Sequence, residues 1–391
     1  MFRLPLTVII LGLVSMLNDV ASDMIAPLLP VFLAATLGAG PAAIGLIEGV
    51  AETTSSLLKL WAGRLGDRGV GHKRLALSGY AISNTVRPLI GLASSWPVVL
   101  LLRFGDRVGK GIRTAPRDAL IALTVSHDIR GRAFGLHRAM DHTGAMIGPL
   151  LAAALLSAGM QMTHVFVASV VPGVLAVLLL LLFVREPPGA NHPPEQLPPL
   201  RWSLLPPRLR QLILAAGGLS LAAVPDAFLI LWLSQDGIKV NWIPFLWAIA
   251  HGLRALVSMP AGRLSDRLGR LPVMIGGWLG RVVLLALIPW FDQAEAIIPL
   301  FLLYAAATAS TEGAERALIG DLAAQEIRGT AFGLYHMTVG LLALPGALWF
   351  GTVWQALNMH TAFLLSAFLS LAATLWLARQ AHLLRSSATR H

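Results

Sequence analysis

The hexapeptide Gly63-Arg-Leu-Gly-Asp67-Arg68 recurs 199 residues later as Gly262-Arg-Leu-Ser-Asp266-Arg267. A second pair of segments, Ile129-Arg-Gly-Arg-Ala-Phe-Gly-Leu136 and Ile327-Arg-Gly-Thr-Ala-Phe-Gly-Leu334, repeats at an offset of 198 residues. Two matches at nearly the same offset indicate an internal repeat rather than chance similarity. They predict that the chain consists of two related halves that follow each other in parallel.

The composition predicts a membrane protein. Hydrophobic residues make up 56% of the 391 residues and charged residues only 13%, whereas about 25% of a soluble domain is charged. The net charge of +10 lies mainly in short loops between apolar runs, which argues against a nucleic-acid-binding protein. The chain has no cysteine, which excludes a disulfide framework and a thiolate metal site.

Twelve apolar runs approach or exceed the length of about 20 residues that a helix needs to cross a bilayer. The first continues well beyond the apolar core of a signal peptide, which is about 7–15 residues long, so it predicts a retained membrane helix with a kink at Pro27 and Pro30. The runs are residues 7–36, 42–62, 75–95, 97–119, 133–157, 163–184, 208–234, 242–263, 271–291, 296–320, 330–355 and 360–380.

A proline-rich stretch divides these runs six and six, and its eight prolines between Arg185 and Arg210 predict a stiff, extended linker. The predicted fold is an all-α polytopic membrane protein with twelve transmembrane helices. They form two pseudo-symmetric six-helix bundles, residues 1–186 and 208–391, on either side of a cytoplasmic linker, residues 187–207.

The distribution of positive charge predicts the orientation. Eighteen Lys and Arg residues fall in loops and termini on one side of the predicted helices, and only Lys239 falls on the other. Because cytoplasmic loops carry the excess of positive charge, both termini and the linker are expected in the cytoplasm, and the protein in the cytoplasmic (inner) membrane.

The repeated hexapeptide resembles the loop signature of the major facilitator superfamily (MFS), Gly-x-Leu-x-Asp-Arg-x-Gly-Arg. The first copy follows this signature only through Arg68, whereas the second follows it at Gly262, Leu264, Asp266, Arg267, Gly269 and Arg270. The resemblance covers the whole chain. It implies a secondary transporter, usually a monomer, that moves a small molecule by alternating access without a cofactor and with the proton gradient as its energy source.

Two further motifs bear on the direction of transport. The stretch from Arg107 to Ala115 resembles a motif of proton-coupled drug exporters, although Lys110 and Arg113 replace its glutamine and one of its glycines. Gly144-Ala-Met-Ile-Gly148-Pro149 is similar to the antiporter motif of the family. Both matches imply efflux, whereas the alternative for the second is that small residues only let helices pack closely.

The loop motif predicts a conformational gate. A carboxylate at a helix end accepts hydrogen bonds from backbone N–H groups and pairs with Arg, so Asp67 and Asp266 are expected to latch neighbouring helices on the cytoplasmic side. The alternative is a static tie. The predicted gate residues are Gly63, Asp67, Arg68, Gly262, Asp266, Arg267, Gly144, Gly148 and Pro149.

Charged residues inside the apolar runs are the main site signal. A charge at mid-span costs about 2.5–3.5 kcal/mol on insertion scales, so such residues must face one another or a water-filled cavity. Two acid pairs lie one helical turn apart, and repulsion within each pair favours proton exchange near neutral pH. The predicted proton-coupling residues are Asp19, Asp23, Glu48, Glu52 and Arg107.

A second set is predicted to bind the substrate, because the resemblance places helices 1, 4, 7 and 10 around the central cavity and the basic stripe on segment 4 is suited to an anionic group. This set is Asp19, Asp23, Arg87, Arg103, Arg107, Lys110, Asp226, Trp232, His251 and Glu312. For other charged residues we favour fixed ion pairs, since structural pairs also occupy such positions: Asp106, Arg138, Asp141 and Glu315 with Arg316.

Three functions remain open from the sequence. The first is a proton-coupled exporter of a small organic solute, and the second is a symporter that imports an anionic or zwitterionic solute, suggested by the intramembrane arginines. The third is a lipid flippase. The sequence contains no Walker-type loop, metal-ligand cluster or nucleophile elbow, so we expect no enzymatic activity, no metal and no nucleic-acid partner.

Overall fold

The computed structural model describes residues 4–67, 70–126, 129–186, 200–324 and 327–388, and in these ranges its regular structure is helical. The helices are α1 (Leu6–Asp23), α2 (Leu29–Val31), α3 (Pro41–Asp67), α4 (His72–Leu89), α5 (Trp96–Thr124), α6 (Arg130–Ser157), α7 (Met162–Ala168), α8 (Val170–Phe183), α9 (Pro207–Ala222), α10 (Asp226–Gln235), α11 (Trp242–Leu268), α12 (Arg270–Leu287), α13 (Ala294–Leu322), α14 (Arg328–Ala356) and α15 (Met359–Ala388).

These helices confirm the all-α prediction and coincide with the twelve apolar runs. In the described ranges nine spans are long and apolar enough to cross a membrane, with α7 and α8 forming one of them and α9 and α10 another. The three remaining runs form α3, α4 and α5, which are of spanning length. These three helices are not among the nine apolar spans because they carry many of the intramembrane charges of the N-terminal half.

The first run is interrupted where its prolines predict a kink. Helix α1 ends at Asp23, α2 begins at Leu29, and a π-helix follows over Phe32–Thr36. A proline has no N–H to donate and its ring clashes with the preceding turn, so Pro27 and Pro30 prevent one continuous helix. The prediction of a kink is therefore confirmed.

The seventh run was expected to form one helix over residues 208–234, but the chain is extended at Ala223 between α9 and α10. Pro225 has φ −60° and ψ 142° and stands just before the first residue of α10, Asp226. The extended backbone here reflects the restriction that proline places on its own φ and on the residue before it.

The internal repeat is visible in the helices themselves. Helices α4 and α12 have 18 residues each, and α5 and α13 have 29 residues each. In both pairs the second helix begins 198 residues after the first. Each residue of α5 can therefore be compared with the residue at the same place in α13.

Small residues set the distance between neighbouring helices. A Cβ atom added at Gly148 of α6 would lie 2.6 Å from the carbonyl oxygen of Val20 in α1. The equivalent Gly346 of α14 lies equally close to α9, where an added Cβ would be 2.9 Å from the carbonyl oxygen of Leu221. Glycines therefore permit backbone-to-backbone packing in both halves, as small residues do between membrane helices.

Contacts divide the chain into two compact units. Unit 1 comprises Met1–Ala39, Val50–Leu197 and Ile238–Ile249, and unit 2 comprises Gly40–Gly49, Pro198–Gly237 and Ala250–His391. Within unit 2, Gln355 Oε1 of α14 accepts a hydrogen bond of 3.1 Å from the backbone of Ala42 at the start of α3. The units differ from the two sequence halves by two short segments, Gly40–Gly49 and Ile238–Ile249. The predicted boundaries of the halves stay a prediction.

We expect Gly148→Val to destabilise the protein, because the new side chain would overlap the α1 backbone. Overpacking of this kind costs about 1–3 kcal/mol. The matched control is Gly135→Val in the same helix, where an added Cβ meets nothing within 4 Å. Thermal unfolding of the purified proteins should show a lower Tm only for Gly148→Val, and an equal Tm for the two variants would contradict this packing.

Candidate functional site

The centre of unit 1 is a carboxylate shared by three arginines. Asp106 of α5 is 1% exposed, and its Oδ1 lies 2.8 Å from Arg87 Nη2 of α4. Its Oδ2 lies 3.5 Å from Arg103 Nη1 and 3.6 Å from Arg107 Nε. Three guanidinium groups therefore surround one carboxylate, and the group as a whole is positively charged.

Asn18 connects this network to α1. Its side-chain Oδ1 accepts a hydrogen bond of 2.9 Å from Arg113 Nη1, and its backbone carbonyl accepts one of 3.3 Å from Arg87 Nη1. Asn84 Oδ1 accepts a further bond of 3.1 Å from Arg87, and the Arg113 guanidinium lies 4.7 Å from the ring centre of Tyr80. Buried polar groups on three helices are thus held by reciprocal contacts, as burial requires.

Ser15 is the centre of a second polar group, closer to the start of α1. Its hydroxyl accepts a hydrogen bond of 2.9 Å from Arg117 Nη1 and lies 3.0 Å from the Tyr80 hydroxyl and 3.1 Å from His137 Nε2. His137 Nδ1 lies 3.5 Å from Asp141 Oδ2. This group joins α1, α4, α5 and α6 of unit 1.

Two predicted proton-coupling residues, Asp19 and Asp23, also lie on α1, and Asp19 is joined to the first group through Asn18. Each is half-buried, and Asp19 Oδ1 accepts a hydrogen bond of 3.1 Å from Asn18 Nδ2. The Asp19 side chain lies against Gly144 of α6. Gly144 follows Asp141 by one helical turn. In the part of the chain that the structure describes, neither Asp19 nor Asp23 has a Lys, Arg or His nitrogen within 4.0 Å.

The other predicted acid pair lies on α3. Glu52 is exposed and accepts a hydrogen bond of 3.3 Å from Ser56 Oγ, while Glu48 is half-buried. Lys110, Lys59 and Arg107 act electrostatically on the Glu52 carboxylate. Lys110 therefore lies near Glu52, a predicted proton-coupling residue. Arg107 lies near Glu52 as well and also takes part in the Asp106 network.

The predicted substrate-binding residues divide between the units. Arg87, Arg103 and Arg107 come together in unit 1 around Asp106. In unit 2, Asp226 Oδ1 lies 3.4 Å from Arg254 Nη2, and His251 is half-buried on α11.

Two other predicted substrate-binding residues of unit 2, Glu312 and Trp232, differ in their exposure. Glu312 is more than half exposed and forms an ion pair of 3.6 Å with Arg316. Trp232 is fully buried, with its ring centre 6.2 Å from that of Phe363. This is the environment of a residue that packs the bundle interior.

The expected fixed ion pairs are present for Asp106 and for Arg138, whose Nη1 lies 4.0 Å from Asp141. The expected pairing of Glu315 with Arg316 is wrong. Glu315 accepts a hydrogen bond of 3.0 Å from the Tyr335 hydroxyl, and Arg316 pairs with Glu312 instead. Adjacent residues on a helix point to different faces, whereas residues four apart share one.

The gate motif of the second half forms a three-helix tie. Asp266 at the end of α11 pairs with Arg270 at the start of α12, and Arg270 Nε lies 3.4 Å from Asp321 at the end of α13. Arg267 is exposed, and a Cβ atom at Gly262 would meet nothing within 4 Å. The sequence reasoning missed Asp321, which lies outside the repeated motif.

The corresponding region of the first half is only partly described. Arg68 and the side chain of Asp67 lie outside the described residues. A Cβ atom at Gly63 would lie 3.4 Å from Ala115 in α5. The remaining gate residues are on α6, where Gly144 and Gly148 contact α1 and Pro149 is buried.

Arg281 of α12 is a buried charge that none of the predicted sites includes. It is 9% exposed, its Nη2 donates a hydrogen bond of 3.3 Å to the Tyr304 hydroxyl, and its guanidinium carbon lies 5.6 Å from the centre of the Tyr304 ring. The repeat offers a signal for this site, because Tyr304 stands 198 residues after Asp106.

Comparisons with known proteins agree with this architecture. A family model described as Major Facilitator Superfamily matches residues 11–250 and 223–389. An uncharacterized MFS-type transporter of Methanocaldococcus jannaschii is 33% identical over 384 residues, which cover 96% of this chain and 95% of that protein. The multidrug resistance protein MdtG of Enterobacter lignolyticus is 26% identical over 370 residues, which cover 91% and 87% of the two chains.

Solved structures show the same fold at low sequence identity. The nucleoside transporter NupG has a TM-score of 0.77 at 14% identity, with 96% of this chain and 99% of that chain covered. A bacterial homologue of the human lysosomal transporter Spinster, in an inward-facing and occupied conformation, has a TM-score of 0.76 at 17% identity, with 96% of each chain covered.

Asp106→Asn should destabilise the protein strongly, because it removes the negative charge that three buried guanidinium groups share. Removing one partner of a buried ion pair costs about 3–5 kcal/mol. Asp321→Asn is the control, since the Asp321 side chain is 60% exposed and an exposed pair is worth about 0–1 kcal/mol. The measurement is thermal unfolding of the purified proteins. An Asp106→Asn variant as stable as Asp321→Asn would show that the network is not needed for folding.

Proposed function

The chain belongs to the major facilitator superfamily, and on this basis we propose that it is a proton-coupled antiporter that exports a small organic solute across the cytoplasmic membrane. Membership of this family means that the chain is a multi-pass membrane protein that transports a small molecule. The coupling ion, the direction of transport and the orientation of the termini are parts of the proposal.

The observation that carries the proposal is the position of Asp19 and Asp23. Both acids are half-buried on α1, one turn apart, with no cationic side chain within 4.0 Å in the described part of the chain. An acid that is not held in an ion pair can take up a proton without leaving a buried cation unpaired. Such an acid is suited to bind a proton from one side of the membrane and release it to the other.

The Asp106 network does not suit this role. Three arginines stabilise the ionised form of its carboxylate, so a proton added there would remove the charge that they share in the bundle interior. The contrast between Asp106 and Asp19 supports two different roles for the carboxylates of unit 1. One carboxylate holds the helices together, and the others are available for protonation.

Two observations favour export. The relative from Enterobacter lignolyticus is named a multidrug resistance protein. In addition, Gly144 and Gly148 of the antiporter-like motif pack directly against α1, beside Asp19. In an antiporter this contact would couple movement of α6 to the protonation state of α1.

A second candidate is import of an anionic solute with protons. It is favoured by the excess of positive charge in unit 1, where three arginines share a single carboxylate. The two candidates differ in whether the proton and the solute cross in opposite directions or together.

Asp19→Asn and Asp23→Asn should each reduce solute-dependent proton flux at least about tenfold, since loss of a proton-transferring group typically costs 10²–10⁴-fold in rate. The control is Glu295→Gln, which removes an exposed acid at the start of α13. Proton flux is followed with an internal pH probe in proteoliposomes that are offered matched cationic, neutral and anionic solutes.

Three outcomes of this assay would contradict the proposal. Normal flux in both aspartate variants would remove α1 from the coupling mechanism. Protons and solute moving in the same direction would establish the symporter. Lipid redistribution without proton movement would establish a flippase.

The proposed orientation can be tested because the chain has no cysteine. Gln161→Cys and Ser203→Cys each introduce one thiol at an exposed position in a connection between helices. In intact cells, a membrane-impermeant maleimide should label the first and spare the second. In inside-out vesicles the result should be reversed, and the opposite pattern would place the termini outside the cytoplasm.

A further inference from the structure

We propose that Arg281 and Tyr304 of unit 2 form an anion-binding subsite that takes the carboxylate or phosphate group of a small organic solute. This inference rests on the proposed transport of such a solute and adds the charge of the group that is recognised. It concerns a pair of residues outside the proton-coupling acids of unit 1.

Arg281 lies deep in the bilayer. It is the twelfth of the 18 residues of α12, about 16 Å along the helix from its first residue at a rise of 1.5 Å per residue. The bilayer core is about 30 Å thick, so this position is near its middle. A charge is costly at that depth, so a compensating interaction is needed.

The described residues do not place an opposite charge within ion-pair distance of Arg281. Within them, no carboxylate oxygen lies within 4.0 Å of the Arg281 guanidinium, and its Nε has no hydrogen-bond partner. The acids that act on it from a longer distance are Glu315 and Asp226. Glu315 accepts a hydrogen bond from the Tyr335 hydroxyl and Asp226 pairs with Arg254, and neither forms an ion pair with Arg281.

Comparison with unit 1 shows what is missing. There, Asp106 of α5 lies 2.8 Å from a guanidinium nitrogen of Arg87 in α4. Helices α12 and α13 repeat this helix pair, but Tyr304 stands at the place of Asp106. Arg281 itself stands 198 residues after Ser83, one turn before the place of Arg87, which Leu285 occupies. The arginine of unit 2 therefore reaches a phenol, whereas Arg87 of unit 1 reaches a carboxylate. A ligand carboxylate or phosphate would supply the absent charge.

The chemistry of the pair is suited to an oxyanion. Arginine has five N–H donors and no acceptor, so in the contact of 3.3 Å the Tyr304 oxygen must accept from Arg281. The hydroxyl hydrogen of Tyr304 is then free to donate. Together the planar guanidinium and the phenol offer several donors to one carboxylate or phosphate, a geometry in which Arg–anion hydrogen bonds are strong.

The first test is the effect of the charge on stability. Arg281→Met keeps most of the side-chain volume and removes the charge. If the charge is uncompensated in the empty protein, Arg281→Met should unfold at the same temperature as the wild type or at a higher one, because apolar replacement of poorly paired buried charges is often neutral or stabilising. A Tm lowered as much as in Asp106→Asn would show a structural tie and overturn the proposal.

The second test is ligand binding to the purified protein in detergent. Benzoate or inorganic phosphate should raise the wild-type Tm by about 2–5 °C near saturation, whereas the neutral analogue benzamide should leave it unchanged. The shift should be lost in Arg281→Met and reduced in Tyr304→Phe. It should persist in the control Arg316→Met, which removes an exposed arginine of α13. An equal shift in Arg281→Met, or no shift of the wild type with either anion, would overturn the proposal.

Two further measurements are needed. The first asks whether the anion is a solute or a lipid headgroup, and the second asks whether anion binding is independent of proton coupling. An Arg281-dependent shift with phosphatidylglycerol but with neither benzoate nor phosphate would assign the site to a lipid headgroup and overturn the solute. In Asp19→Asn the benzoate shift should remain, since the two sites are distinct. If the wild type gave no anion shift but kept Asp19-dependent proton antiport, the subsite would be refuted and the proposed function would stand.

Discussion

Burial of charge at low dielectric is the constraint on which the N-terminal unit depends. Arg87, Arg103 and Arg107 lie on two helices that approach each other at Gly79 and Gly109, where a Cβ added at either glycine would be 2.5 Å from the carbonyl oxygen of the other. Such close packing of basic helices is possible because Asp106 lies between the guanidinium groups. The ion network therefore permits the helix packing that brings the other polar groups together.

The same constraint separates structural charges from charges that are available for transport. A group that already has an opposite charge within ion-pair distance gains little by changing partners, as with Asp106 and Arg87. A transporter needs groups whose best partner is a proton or a solute. We propose that Asp19, Asp23 and Arg281 are of this second kind, because no opposite charge in the described residues lies within ion-pair distance of them.

Much of the fold was accessible from the sequence, because hydrophobic length and repeat offset are properties of the chain itself. The break at Ala223 was missed because the hydrophobic run continues through it, although Pro225 carries the signal. Residues of the Asp106 network were recognised as intramembrane charges, but charge positions along a chain do not give distances. For this reason the Glu315–Arg316 pairing was wrong, and the isolation of Arg281 emerged only from the packed structure.

The central claim is that the titrating carboxyl groups of the bundle are on α1 and not in the arginine network. Infrared difference spectroscopy of the purified protein, between mildly acidic and mildly alkaline pH, tests it directly through the C=O stretch of protonated carboxyl groups. This band should be present in the wild type, weaken in Asp19→Asn or Asp23→Asn, and persist in Glu295→Gln. A band that is unchanged in both α1 variants would contradict the account.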